Sequence, residues 1–297
     1  MSRFGIIHGE PIADYHANAA WGHSKLETFR DEDRGQARAF GQFITGTIPK
    51  RESTDAMDIG NSVDALVLER KTIFAELPAT YVDAKGEEKK FTMASNSCKA
   101  MVAEIELSRG LIALNRFDCA LVRQMRDAVF ANPFAAALLS VGQPQTTMRH
   151  PFGAFAVQSR PDWWNHEGVT LPDGEKVGAY ICDLKSAEDA DQFLKNRRAF
   201  GYSRQAALYR EITRLVLASV GGVPVEEVKA PEFFFLVVYK TAPIECVVFK
   251  ETDEEMEIAT NEVVDDLRML RRAYETGLWR GCPSGIVELP KIWRKAA

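Results

Sequence analysis

The sequence predicts an α/β fold: a central mixed β-sheet flanked by helices, with a mostly helical N-terminal part. Three observations carry this reading. The middle of the chain holds short β-prone runs, "QTTMRH", "AFAVQSR" and "GAYICDLK", separated by turn residues such as Pro172-Asp173-Gly174. Amphipathic helical stretches stand on both sides of them. No linker divides the 297 residues. Residues 1–297 therefore read as one domain, with 1–140 mostly helical and 141–297 carrying the sheet, a hairpin and a C-terminal helix.

The first fifty residues are polar and turn-rich, with one short helix expected in "HSKLETFRD". "STDAMDIGNSVDALVLERKTIF" reads as a helix that Ser53, Thr54 or Asp55 can cap, with Met57, Val63, Leu66 and Val67 as its apolar stripe. The charged stretch "YVDAKGEEKKFTMASNS" is expected to be an exposed, mobile loop. "NRFDCALVRQMRDAVFANPFAAALL" reads as helix broken at Asn132-Pro133, because a residue before proline is pushed out of the helical region. Beyond the strand-rich centre, helices return in "SAEDADQFLKNRRAF" and "YSRQAALYREITRLVLASVGG". "EFFFLVVYK" and "IECVVFK", joined through "TAP", predict a β-hairpin. "TDEEMEIATNEVVDDLRMLRRAYETG" is a long amphipathic helix with acids in its first turn, basic residues toward its end and Gly277 past it.

Composition excludes several function classes. With 46 % apolar and 27 % charged residues the chain is ordinary for a soluble globular protein. Five cysteines (98, 119, 182, 246 and 282) are scattered without a CxxC pair. That argues against a zinc ribbon, an iron–sulfur cluster or a disulfide framework, and for a reducing cytoplasm. The first twenty residues lack the apolar core of a secretory signal, and no run reaches the roughly 20 apolar residues of a spanning helix, so a membrane partner is not expected. The net charge of −5 gives nucleic-acid binding no support, although a groove on an acidic protein can be locally basic.

The chemistry concentrates in Asp162 and Asp183-Leu184-Lys185. In a strand, side chains at i and i+2 leave the same face, so Asp183 and Lys185 point together while Leu184 turns into the core. If the segment carrying Asp162 pairs with that strand, two carboxylates stand beside one ammonium. Such a group can hold Mg²⁺ or Mn²⁺ and act on a water or a phosphate. Charges at the end of an apolar strand are unexpected unless paired or functional. The next helix, expected directly after Ser186, is followed by Tyr202, Gln205 and Tyr209, which share one helical face.

The run "SRPDWW…YICDLKSAEDADQF…FGYSRQAALYREI" resembles the core of the PD-(D/E)XK nuclease superfamily, and within it the RecE-like (exonuclease VIII-like) phage and prophage exonucleases. "EPIADYHANAAWGHSKLETF", "STDAMDIGNSVDALVLERKTIF", "EFFFLVVYKTAPIECVVF" and "ETGLWRGCPSGIVELPKIW" extend the resemblance to nearly the whole chain. It implies a restriction-endonuclease-like core whose metal carboxylates are Asp162 and Asp183, whose catalytic lysine is Lys185 and whose helix glutamine and tyrosine are Gln205 and Tyr209. The Leu184 backbone carbonyl would be a third ligand to Mg²⁺, with Mn²⁺ as an alternative ion. Asp64 stands where the family offers a metal-ligating histidine, and Gln145 where it often has an acid. The hairpin between Asp162 and Asp183 is longer than the family's. An oxygen ligand at Asp64 is harder than imidazole and implies a stronger Mg²⁺ preference.

Arg160, Tyr202 and Trp163 are the candidate DNA contacts. For the Trp163-Trp164 pair the choice is between a stacking platform for a DNA end and packed core. The histidines show no ligand spacing. Three basic clusters, Lys195-Arg197-Arg198, Arg268-Arg271-Arg272 and Lys291-Arg294-Lys295, read either as a phosphate-tracking groove or as solvated faces. The resemblance implies a metal-dependent exonuclease acting on double-stranded DNA ends, 5′→3′, in phage-type recombination or repair. It also implies a ring-shaped homo-oligomer, a single-strand annealing protein as partner, and a bacterial or phage-infected host cytoplasm. A RecB-like or Cas4-like nuclease is the nearest alternative, the latter disfavoured by the missing cysteine cluster. A nuclease-derived DNA-binding module that has lost catalysis is the other.

Overall fold

The computed structural model describes residues 4–30, 35–49, 55–83 and 85–281. The chain opens with β1 (Gly5–Ile7), α1 (Ile12–Ala17), α2 (His23–Arg30), α3 (Gly35–Ala39) and α4 (Asp55–Leu68). The segment read as turn-rich thus holds two short helices besides α2, and Tyr15 and Phe29 anchor α1 and α2 by burial. Ser53 and Thr54, offered as caps of α4, lie outside the described residues. Met57, placed in the α4 stripe, is exposed, whereas Val63 and Val67 are buried.

Next come β2 (Phe74–Glu76), β3 (Thr80–Val82), β4 (Glu88–Lys90), α5 (Asn96–Ala103) and β5 (Ile112–Leu114). The stretch expected to be a loop is exposed but not irregular: β3 and β4 pair antiparallel and α5 follows. The cause is local turn chemistry. The Asp83 carboxylate accepts from the backbone N–H groups of Lys85 (2.8 Å) and Glu87 (3.0 Å), a turn that closes the hairpin. Helices α6 (Arg116–Ala131) and α7 (Pro133–Leu138) break where proline predicts. Asn132 supplies the junction: its side-chain oxygen accepts from Phe134 and Ala135, and its Nδ2 donates to the Cys246 carbonyl.

The centre comprises β6 (Gln143–Pro144), β7 (Thr147–Phe152), β8 (Phe155–Ser159), β9 (Trp163–Asn165), β10 (Val169–Thr170), β11 (Lys176–Val177) and β12 (Tyr180–Ala187). Then follow α8 (Ala190–Ala199), α9 (Tyr202–Gly221), β13 (Glu232–Tyr239), β14 (Cys246–Lys250) and α10 (Asp253–Thr276), with β13 and β14 forming the predicted hairpin. Strand β12 runs one residue past Ser186, and α8 starts only at Ala190, capped by Asp189. The central sheet has the order β14–β13–β12–β9–β6; β12–β13 is its parallel pair and the rest are antiparallel, so it is mixed as expected.

After β6 the chain leaves that sheet for a second, three-stranded one of order β1–β7–β8 and returns at β9. The crossings fall at Arg160-Pro161, where proline has no N–H for a ladder, and at Gln145, whose φ is +50°.

Alternation along β13 builds a core on each face of the central sheet. Phe233, Phe235 and Val237 join Trp164, Ile181 and the buried faces of α9 and α10. Phe234, Leu236 and Val238 join Trp163, Leu184 and the buried faces of α4 and α6. At roughly 1.5–3 kcal/mol per fully buried large apolar side chain, these two layers hold the strands rigidly beneath the polar site.

Candidate active site

Register places the acids. Trp163 pairs with Cys182, so one step further Asp162 stands against Asp183. The Leu184 N–H donates to Asp162 Oδ2 at 2.9 Å, fixing that carboxylate across the strands. Continuing the register brings Pro161 opposite Leu184. Proline has no N–H to offer, so the Leu184 carbonyl, on the same strand edge as its N–H, has no ladder donor there.

Asp183 is 2 % exposed. Its Oδ1 accepts from Gln205 Nε2 at 2.8 Å. Its Oδ2 lies against the Lys185 ammonium in an ion pair and is otherwise buried without a hydrogen bond. Lys185 Nζ also sits 4.7 Å from the centre of the Tyr202 ring. Helix α9 thus meets β12 through Tyr202 and Gln205, while Tyr209, one turn on, shares side-chain hydrogen bonds with Gln205 and Tyr15. Gly201 sets this helix in place with φ +63°; a side chain there would run into Arg204, which is clamped bidentately by Glu27 of α2 at 2.7 and 2.6 Å.

Asp64 comes from α4 and joins Asp162 in the wall of a cavity of about 1020 Å³, with Gln145, Arg160 and Tyr209. Burial, followed by the charge of Asp162, holds Asp64 well above the usual carboxylate range. Burial, then the charge of Asp183, pushes Asp162 to about 7, against the opposing pull of Lys185 and the Leu184 N–H. Burial works against the Lys185 ammonium, but Asp183 and Asp162 outweigh it and raise its pKa, so Lys185 is a fixed positive charge and not a base at neutral pH.

Three carboxylates therefore interact with one ammonium at a partly buried site, and the Lys185 ammonium is the partner of Asp183 Oδ2. Among the described residues no three His, Cys, Asp or Glu side chains are gathered closely enough to hold a metal ion by themselves. The hard oxygen donors of the acids, together with the Leu184 carbonyl opposite Pro161, nevertheless suit a divalent cation such as Mg²⁺.

Of the residues predicted for the centre, Asp183, Lys185, Gln205 and Tyr209 are linked by direct contacts, Asp162 is tied to the same strand through the Leu184 N–H, and Asp64 shares the cavity wall with Asp162 and Tyr209. The predicted DNA contacts fare unevenly. Arg160 lines the cavity, but two of its donors are committed: Nε to Gln145 Oε1 (2.9 Å) and Nη1 to the Glu10 carbonyl (2.7 Å). Tyr202 packs between Phe193 and Lys185, which makes it a support for the lysine. Trp163 is a correction. It is 7 % exposed, packs into the core on the opposite sheet face and donates Nε1 to the Val141 carbonyl, so it is no stacking platform.

Of the basic clusters, Arg197 is taken by Glu251 and Glu255, while Arg268 and Arg271 pair along α10. Lys291, Arg294 and Lys295 lie outside the described residues, as does Cys282. The other four cysteines are free and buried.

Spacing gave no hint of Tyr15 or His23, which also line the cavity. His23 donates Nε2–H to the Phe200 carbonyl at 3.1 Å, and burial lowers its pKa. Arg149, fully buried, pairs with Glu10 at 3.0 Å and with Gln158, tying β7 and β8 to the N-terminal segment. Their only sequence signal is the resemblance of the N-terminal segment itself.

Residues 23–282 match the family model described as "PDDEXK-like domain of unknown function (DUF3799)". The chain belongs to this family. Its membership agrees with the PD-(D/E)XK reading of the core and with the mixed sheet that carries Asp162 and Asp183. No curated protein matches the chain. Among solved structures, the PDDEXK-like fold is shared by a crystal structure of a protein from Eubacterium rectale, described provisionally as an exonuclease. The two superpose with a TM-score of 0.57 over 96 % of each chain at 13 % sequence identity, a likeness of fold. Among the described residues no helix is long and apolar enough to cross a membrane.

Proposed function

We propose that this chain is a Mg²⁺-dependent exodeoxyribonuclease that hydrolyses phosphodiester bonds from double-stranded DNA ends. The observation that carries this reading is Asp162, held just before β9 by the Leu184 N–H, beside Asp183 of β12, with Lys185 against Asp183 and Gln205 fixing it from α9. The family's PDDEXK-like description supports it, and so does the exonuclease description of the E. rectale protein.

Asp162, Asp183, the Leu184 carbonyl and Asp64 would hold the ion. When bound, Mg²⁺ supplies Lewis acidity toward the phosphate and makes a water more acidic; Mn²⁺ would serve as a substitute. Lys185, permanently charged, holds its ammonium where charge grows on the phosphate oxygens, and Tyr202 fixes it there. Gln205 keeps Asp183 from rotating, with Tyr209 behind it. Arg160 turns its Nε to Gln145 and one Nη1 hydrogen to Glu10, and its remaining N–H groups would be available to a substrate phosphate.

By the same reading the polarity is 5′→3′, the setting is phage-type recombination or repair in a bacterial cytoplasm, and the 3′ strand passes to an annealing protein from a ring-shaped homo-oligomer. The test uses linear duplex, nicked circle and single strand with Mg²⁺, comparing the parent with Asp183→Ala and Lys185→Ala. Release of nucleotides from linear ends only, lost by roughly 10²–10³-fold or more in both variants, is the expected result. Binding without turnover on any substrate would replace the enzyme with a DNA-binding module. End-labelled duplex reads the polarity.

A further inference from the structure

Gln145 stands where the chain leaves the central sheet for the three-stranded one. Its backbone is left-handed, at φ +50°, a conformation that favours glycine. A glycine would turn this corner without strain, so the side chain must do something the corner itself does not require. Its contacts show what. The Gln145 N–H donates to the Asp162 carbonyl at 3.0 Å, continuing the β6–β9 ladder by one residue. Its Oε1 accepts from Arg160 Nε at 2.9 Å, and its Nε2 donates to Asp162 Oδ1 at 3.4 Å.

With Leu184 N–H on Oδ2, both oxygens of Asp162 are therefore addressed by neutral N–H donors. Arg160 in turn reaches the Glu10 carbonyl at 2.7 Å, so the amide links Asp162 to the segment between β1 and α1. An amide answers both partners at once, whereas a carboxylate would satisfy Arg160 but repel an ionised Asp162, and an ammonium would do the reverse.

We infer that Gln145 is a positioning residue, which sets the plane of the Asp162 carboxylate for the cation and holds Arg160 beside it. This rests on the reading of Asp162 as a metal ligand of a nuclease. The 3.4 Å contact is long, so its role is orientation, with the register held by the backbone bond. Outer partners of this kind typically change metal affinity by roughly 10–100-fold when removed.

Two substitutions separate positioning from a merely structural corner. Gln145→Gly relieves the left-handed backbone and removes the amide. Gln145→Met keeps the volume and the strain and removes the hydrogen bonds. Titration calorimetry with Mg²⁺ alone, on the full chain, is the main readout, with thermal unfolding of the metal-free protein beside it. The expected result is a Kd for Mg²⁺ weaker by about tenfold or more in both variants, while the metal-free Gln145→Gly protein unfolds at the parent's temperature or above it. If both variants bind Mg²⁺ as the parent does, the positioning role is wrong. If Gln145→Gly loses affinity only together with a lower unfolding temperature, the residue is a structural corner and the inference also falls. A parent that binds Mg²⁺ and digests linear duplex while the variants are unchanged refutes this inference alone; a parent that does neither refutes the nuclease reading as well.

Discussion

At the scale of single residues, the two-residue repeat of a strand explains what could and could not be read. It placed Asp183 and Lys185 on one face and Leu184 on the other, and the structure keeps that division. Applied once more, the same rule sends Trp163 away from Asp162, because adjacent side chains of a strand point to opposite faces. Of the two readings open for the tryptophan pair, core packing holds for Trp163, which is packed in the far core. Asp64 was legible only through resemblance, since nothing in α4's own pattern says that one acid among several faces the β12 acids. Its position predicts metal choice. Asp64→His replaces a hard oxygen with imidazole and should lower the ratio of Mg²⁺- to Mn²⁺-supported activity several-fold; a ratio equal to the parent's would remove Asp64 from the ligand set. Tyr202 carries a second prediction. Its ring lies 4.7 Å from Lys185 Nζ, so Tyr202→Phe should keep turnover near the parent's while Tyr202→Leu lowers kcat. A cation–π contact worth about 0.5–2 kcal/mol corresponds to a loss of roughly two- to thirtyfold. Equal rates for the two variants would mean the ring does not hold the ammonium.

At the scale of elements, the long helices and the β13–β14 hairpin were legible because periodicity and proline mark them locally. The β3–β4 hairpin was missed because one side chain, Asp83, makes its turn, and a charged composition hides that. The packing of α2 against α9 and α10 was beyond sequence reading altogether, being made by residues more than 170 positions apart. Its ionic contacts give a pH prediction. Asp266 on α10 is 4 % exposed; burial raises its pKa to about 6, although Arg30 of α2, at 3.5 Å, pulls the other way. The unfolded carboxyl titrates near 3.9. Between about 4 and 6 the folded state therefore binds more protons than the unfolded state, so this group's contribution to stability falls as pH rises and its cost is complete above about 6. Asp266→Asn removes that cost while Arg30 keeps Glu262 at 3.1 Å. The variant should be more stable than the parent at pH 7 by about 1–3 kcal/mol, with the gap closing toward pH 4. Denaturant unfolding at several pH values measures it; a gap that does not change with pH would show that Asp266 is ionised as freely in the fold as outside it.

At the scale of the whole molecule, the fold buries acids side by side and thereby makes their ionisation costly. Two apolar layers clamp β12 and β9, and the rigid strands bring Asp162 and Asp183 together with Asp64, with Lys185 against Asp183 and Arg160 beside Asp162. Repulsion and burial at such a site oppose folding, and the two raised carboxylates are its signature. A ligand that binds only the folded state stabilises it by RT ln(1 + [L]/Kd), about 2.7 kcal/mol at a hundred times Kd. Saturating Mg²⁺ should thus raise the unfolding temperature by several degrees, since for large domains each kcal/mol is worth about 2–4 °C. Removing one acid has two opposite consequences at once. Asp183→Asn relieves repulsion among the acids but leaves the Lys185 ammonium without its ion-pair partner, so the metal-free variant should unfold below the parent, and its Mg²⁺-dependent shift should collapse. Monovalent salt at matched ionic strength controls for screening, because it weakens repulsion without occupying the site. Were the parent to shift equally in Mg²⁺ and in matched NaCl, the carboxylates would be solvated charges and not a cation site; were Asp183→Asn to keep the full shift, the cation would be bound elsewhere on the chain.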